Sequence, residues 1–223
     1  MSTCSITAPR EPGGSVARTA REKLLVAGER LIAERGLSVP TQEIVEAAGQ
    51  RNRSAVQYHF GARDGLITAI LERRLADLAD RQVELLSAHE TSGRPDTVVA
   101  LLEILIRPMF EVPYAEGSTH YARFLEQVRR LPAVTEGLLS SERWPVVSIV
   151  AHRLSLALKE LPRETRRRRM DALTTVMAGL IADLERAAQA EGRAIADDDA
   201  TITETVAMIA GMLTAPVSEA TGA

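Results

Sequence analysis

The 223-residue chain has one cysteine, Cys4, and few aromatic residues: one Trp, three Tyr and three Phe, together 3% of the sequence. A lone thiol allows neither an internal disulfide nor a thiolate metal cluster. No apolar run approaches the ~20 residues that span a bilayer as a helix. The first 20 residues lack the continuous apolar core of a secretory leader. A cytoplasmic protein without membrane contact is therefore expected. Runs of β-branched residues and period-two alternation are also scarce, which argues against sheet. There is no Gly-rich phosphate loop, no His-x-x-x-His pair and no nucleophile–base signature, so no enzymatic role, cofactor or metal is expected.

What is present points to helices. The chain is 45% hydrophobic and 26% charged, and the helix formers Ala, Leu, Glu and Arg dominate it. The net charge of −3 is unevenly spread: residues 15–75 hold 10 basic and 7 acidic side chains, residues 76–223 hold 16 and 22. A mildly basic N-terminal part on an acidic body suits a head that meets nucleic acid.

Residues 1–17 contain Pro9, Pro12, Gly13 and Gly14 and read as a disordered arm. Thr19-Ala20-Arg21-Glu22 has the form of a capping box opening a helix that ends before Gly36. Pro40-Thr41 opens a short second helix, ended by Gly49. A polar turn leads to a third from Arg53 to Phe60, and a long fourth runs from about Asp64 to Ala88. Five more are expected over roughly 95–111, 117–131, 142–160, 163–190 and 199–215, with Pro108 kinking or ending the first of them. The expectation is an all-α chain of about nine helices. Residues 18–64 form a three-helix head containing a helix-turn-helix, and residues 65–223 form a helical body behind it.

Short helix, glycine turn, short helix is the geometry that lays a second helix into the DNA major groove while the first crosses the backbone. With Val56 and Phe60 packed inward, the third helix turns Arg53, Ser54, Ala55, Gln57 and Tyr58 outward. Arg53 suits guanine, Gln57 adenine, and Ala55 a thymine methyl. Arg51, Asn52, Tyr58 and His59 suit phosphate oxygens. Thr41 and Gln42 start the second helix, where free N–H groups attract a phosphate. Arg63 is placed to grip the same strand.

These stretches resemble the TetR family of transcriptional regulators. The resemblance is carried by residues 18–25, by Ala33-Glu34-Arg35-Gly36, by Thr41 through Gly49, and by Val56-Gln57-Tyr58-His59-Phe60-Gly61-Ala62-Arg63-Asp64-Gly65-Leu66. Two places depart from the family pattern. The turn Gln50-Arg51-Asn52-Arg53 is one residue longer than the commonest form, which leaves the start of the recognition helix open. Gln57 stands where a first Tyr is common. The resemblance implies a nine-helix chain, a two-fold dimer through the last two helices, and a C-terminal cavity for a small effector. The expected partners are thus a near-palindromic double-stranded operator, a hydrophobic or amphipathic effector, and a second copy of the chain.

In the body, Met109, Phe110, Tyr121, Phe124, Trp144, His152 and Met177 are the candidate cavity residues, with His120, Tyr121 or His152 as a polar handle. The dimer face is expected from Met177, Leu180 and Leu184 together with Ile202, Val206, Ile209 and Leu213, which recur at helical spacing. The run Arg166-Arg167-Arg168-Arg169 reads as a solvated helical face paired with Glu164, Asp171 or the acids at 197–199. The rival reading is a helical adaptor that docks another protein on an apolar face. It leaves Arg53, Gln57 and Tyr58 without a purpose.

Overall fold

A computed structural model describes residues 19–111, 120–135, 144–193, 195 and 199–217. The expected arm at 1–17 lies outside them. Among the described residues there are ten helices and no strand. The first four are α1 (Ala20–Arg35), α2 (Thr41–Ala47), α3 (Ala55–Phe60) and α4 (Arg63–Ser92). The rest are α5 (Val98–Glu111), α6 (Tyr121–Val128), α7 (Pro132–Thr135), α8 (Pro145–Ala157), α9 (Arg163–Ala190) and α10 (Asp199–Thr214). The helix beyond the expected nine is α7, a single turn opened by Pro132, whose ring suits a first helical position as well as a break.

Helix α1 begins as the sequence indicates. Glu22 N–H donates to the Thr19 hydroxyl at 3.3 Å, and Thr19 N–H donates to the Glu22 carboxylate at 2.8 Å. Leu24, Leu25 and Ile32 then bury one side of the helix. Helices α1, α2 and α3 pack against one another and on the start of α4. Gly65 makes the α3–α4 corner possible: a Cβ there would sit 2.0 Å from the Phe60 carbonyl oxygen. Gly49 closes α2 with φ +66°, a left-handed conformation that glycine adopts without steric cost.

Helix α5 is apolar almost all round and runs through the middle of the body, against α4, α8 and α10. Pro108 neither ends it nor shortens it, since the helix continues to Glu111. Helix α4 reaches Ser92, past the expected Ala88, and stops at Gly93 with φ +64°. The buried side chains form one contiguous cluster from Leu24 to Leu213. The head is therefore seated on the body through α1, α4 and α6 and is not hung from a linker.

Candidate DNA-binding face and effector cavity

The third helix starts later than the sequence suggests. Asn52 organises its first turn: its side-chain oxygen accepts from Ser54 N–H at 3.0 Å, and its carbonyl accepts from Ala55 N–H at 3.0 Å. Arg53 and Ser54 therefore sit in the leading turn, and the helix proper opens at Ala55. The extra residue of the turn is absorbed here. Arg51, Arg53, Ser54, Gln57 and Tyr58 stand out in solvent, and Tyr58 is 79% exposed. Neither Arg51 nor Arg53 holds an ion pair among the described residues. His59 is half-buried, edge-on to Tyr58 at 4.9 Å. Phe60 packs beneath, with the Arg21 guanidinium 5.2 Å from its ring centre.

Two expected contacts are corrected. Ala55 is 4% exposed and faces the core beside Val56, so its methyl is not offered to a thymine. Two positions before Gln57, it lies on the opposite side of α3 from that residue. Arg63 is engaged inside the head, donating to the Leu37 carbonyl at 2.9 Å and to the Val39 carbonyl. It ties the α1–α2 connection to the first turn of α4. Thr41 and Gln42 are half-buried, and Gln42 donates to Glu46 at 2.9 Å along α2.

The body encloses a cavity of about 590 Å³ between α4, α5, α6, α8 and α9. Its floor is aliphatic. Leu71, Leu75 and Leu78 descend one face of α4, and Leu105, Leu125 and Leu173 face them from α5, α6 and α9. Buried polar groups reach it only from Tyr121 and Gln82 among the described lining residues, while Arg129, Arg130, Asp171, Thr174 and Thr175 lie at its half-buried and exposed end.

Of the seven expected cavity residues, Tyr121 and Met177 line it. Met109, Phe110 and Phe124 are buried in the core and do not reach it. Trp144 lines a separate recess of about 120 Å³ with Val83 and Val147. His152 is exposed on α8. Large aromatic rings fill space, and a cavity in a chain with so few of them is left where leucines stop short. The usable signal was the leucine spacing on α4, which marks a face that α5 alone does not cover.

Beside the cavity a buried charge cluster joins head to body. The Arg74 Nε of α4 donates to both Glu29 oxygens of α1 at 3.2 Å, and both residues are 2% exposed. Burial pushes the Glu29 carboxyl up, to about 8, against the opposing pull of Arg74. The Arg74 guanidinium also lies 5.8 Å from the ring centre of Tyr121, whose hydroxyl burial holds in the neutral form. Glu185 of α9, buried as well, accepts from the Ala122 and Arg123 N–H groups at 3.0 Å and so caps α6. The Arg123 guanidinium lies 3.4 Å from Glu185 and donates to the His120 Nδ1 at 2.5 Å. Burial and the nearby Arg123 hold His120 neutral, its pKa lowered to about 4. His120 is thus part of this cluster and not a lining residue of the cavity.

Residues 103–212 match the family described as tetracyclin repressor-like, C-terminal domain. Over that segment, 110 of its 223 residues, the chain is similar to the C-terminal domain of TetR-like repressors. Its matched segment runs from within α5 to near the end of α10. No curated protein matches the sequence. Among solved structures it is similar to a structural-genomics crystal structure of a candidate transcriptional regulator from Rhodococcus sp. RHA1, at 20% identity and a TM-score of 0.37, covering 89% of this chain and 97% of that one.

The last two helices correct the expected dimer face. Ile202, Val206, Ile209 and Leu213 are all buried inside the protomer, where α10 packs on α5 and α9. Their helical spacing is real, but it marks the core side. The side left to solvent carries Met208, 52% exposed, with Ala200, Thr201 and Glu204. Next to it α9 contributes half-buried Leu180 and Leu184, and the two helices enclose a shallow trough of about 510 Å³. Met177 lines the cavity between α4 and α9 instead. The arginine run is a solvated face as expected: Arg167 bridges Glu164 and Asp171 at 2.9 and 3.1 Å, and Arg168 bonds Glu164 at 3.0 Å. Arg169 turns away to the Leu213 carbonyl at 2.8 Å.

Among the described residues no helix is long and apolar enough to cross a membrane. No group of three or more potential metal ligands occurs there either.

Proposed function

We propose that the chain is a homodimeric, sequence-specific DNA-binding regulator, a repressor, whose grip on a near-palindromic operator is released when a small amphipathic effector fills the α4–α9 cavity. The observation that carries this reading is the path between the two sites. Tyr121 is at once a cavity wall and a neighbour of Arg74, and Arg74 holds Glu29 of α1 in the head. Helix α4 itself lines the cavity along Leu71–Leu78 and begins at the corner that seats α3. An effector that displaces α4 or Tyr121 moves the head as a rigid body. A coupling of ~1–3 kcal/mol changes DNA affinity about 5–150-fold.

In the operator complex Arg53 and Gln57 read base edges, and Arg51, Asn52, Ser54, Tyr58 and His59 meet the backbone of the DNA. Two recognition helices entering successive major grooves require half-sites ~34–36 Å apart or a multiple of that spacing. The test is fluorescence anisotropy of the full chain on DNA from upstream of its own gene, titrated in salt beside a scrambled duplex. The regulator reading expects the native duplex to be favoured about a hundredfold or more. No binding to any duplex at low salt would return the adaptor reading to first place.

A further inference from the structure

We infer that the effector is an anionic amphiphile: an aliphatic tail in the leucine-lined cavity and an acidic head held at its mouth by Arg129 and Arg130. This rests on the effector reading above and gives it a chemical class. The cavity is polarised from end to end. Its deep wall is leucine, with Tyr121 and Gln82 as buried polar groups, so it offers a tail little to hydrogen-bond. Arg130, Asp171 and Thr175 are the exposed lining residues and mark the mouth.

The charge balance at that mouth is positive. Asp171 is already bridged to Arg167 at 3.1 Å. Arg129 donates to the neutral Thr175 hydroxyl at 2.9 Å and meets no carboxylate among the described residues. Arg130 has no hydrogen bond or ion pair there. Two guanidiniums from consecutive residues at the C-terminal end of α6 thus line the opening of an aliphatic cavity without an ion pair among the described residues. Beyond the mouth the same surface continues as a groove of about 300 Å³ that shares Met170 and Asp171 with the cavity and adds Arg163 and Arg166. A cationic amphiphile meets repulsion along this whole route. A neutral one leaves the guanidiniums unused. Guanidiniums pair with carboxylate or phosphate oxygens through charge-assisted, often bidentate bonds.

The experiment titrates the full-length protein calorimetrically with the saturated fatty acids from octanoate to hexadecanoate, with dodecan-1-ol and with dodecyltrimethylammonium. Affinity is expected to rise about three- to fourfold for each added methylene until the cavity is full. Dodecanoate is expected to bind about tenfold or more tightly than dodecanol, as a hydrogen bond to a charged group allows, and the ammonium weakest. Arg129→Gln with Arg130→Gln should erase the preference for the acid and leave dodecanol binding unchanged. Leu75→Trp or Val147→Trp, each at a half-buried wall position, should weaken acid and alcohol together. Circular dichroism melting identifies any variant that fails to fold, and the second filling variant then replaces it.

The inference is overturned if no acid of the series binds, if the alcohol or ammonium binds as tightly as the acid, or if the double variant keeps the full preference. Operator anisotropy on the same preparation separates the two readings. DNA binding without acid binding removes the anionic effector and leaves the regulator, whereas selective acid binding without binding to any duplex removes the regulator and leaves the site.

Discussion

Gln57 and Arg63 lie six positions apart and show how differently two polar residues in one head can serve. Gln57 is exposed with its amide turned from the core, and Arg63 is tied to two backbone carbonyls of the α1–α2 connection. Gln57→Ala and Arg53→Ala are expected to cost ~1–3 kcal/mol of specific binding each and to relax one base pair apiece. Anisotropy on a set of single-base operator variants reads this directly. Arg63→Ala should instead lower the melting temperature, removing charge-assisted bonds that contribute ~1.5–3 kcal/mol each. If it leaves melting unchanged and reduces the salt slope by about 1, Arg63 is a phosphate contact after all. Gly65 gives a sharper case. Its missing Cβ is what lets α4 start 2.0 Å from where that atom would strike the Phe60 carbonyl. Gly65→Ala should destabilise the chain by ~1–3 kcal/mol, as overpacking does, and weaken all DNA equally. An Ala variant that melts like the wild type would mean the corner has room to open. Sequence reading reached Gln57 through residue type and helical phase. It missed Ala55 and the partners of Arg63 because both depend on where a turn begins, and the turn was the irregular part.

Among the elements, α4 is the one that would carry the proposed coupling, and the buried carboxyl that its Arg74 meets on α1 gives a measurable pH response. Glu29 loses its proton near the usual 4.5 when the chain is unfolded and near 8 when folded. Between those values the folded state holds a proton that the unfolded state has released, so protonation favours folding. The stabilisation from this group is fully present below 4.5 and drains away as pH rises through 8. Glu29→Gln should flatten the dependence of stability on pH in that window, measured by urea unfolding at several pH values. Above pH 8, where Glu29 is ionised, Arg74→Met leaves a buried carboxylate without its partner and is expected to cost ~3–5 kcal/mol. The double variant Glu29→Leu with Arg74→Met should recover much of that loss, because neither residue is then left buried without the other. A loss in the double variant equal to the sum of the losses in Glu29→Leu and Arg74→Met alone would show that the pair is not energetically coupled. None of this cluster was legible in the sequence. Glu29, Arg74, Arg123 and Glu185 come from four different helices, and only packing reveals that they share one interior. The leucines on α4 were legible as a face, but whether that face meets a neighbour or a void depends on side-chain volumes contributed by α5, α6, α8 and α9.

For the whole molecule, the proposed dimer would form through the outward side of α9 and α10. The apolar repeat of α10 was plain in the sequence, yet periodicity alone does not say which of two burials it serves. Ile202, Val206, Ile209 and Leu213 took the inner one, and what is left for a second copy is Met208 with Leu180 and Leu184 across the trough. The two sides therefore respond differently to the same chemistry. Val206→Glu buries an unpaired carboxylate in the protomer and should unfold it. Met208→Glu with Leu184→Glu places like charges on the face that a two-fold axis brings together, and each protomer should keep its helical content. Sedimentation should then report monomers, and the thermal midpoint should lose its dependence on protein concentration. Because one head holds only one half-site, operator affinity should fall by about a hundredfold or more, the advantage that linking two binding events confers. Binding to an isolated half-site should be unchanged. A double variant that still sediments as a dimer would move the interface to another face. One that is monomeric yet binds the full operator as tightly as before would remove the need for a dimer, and with it the spacing rule for the half-sites.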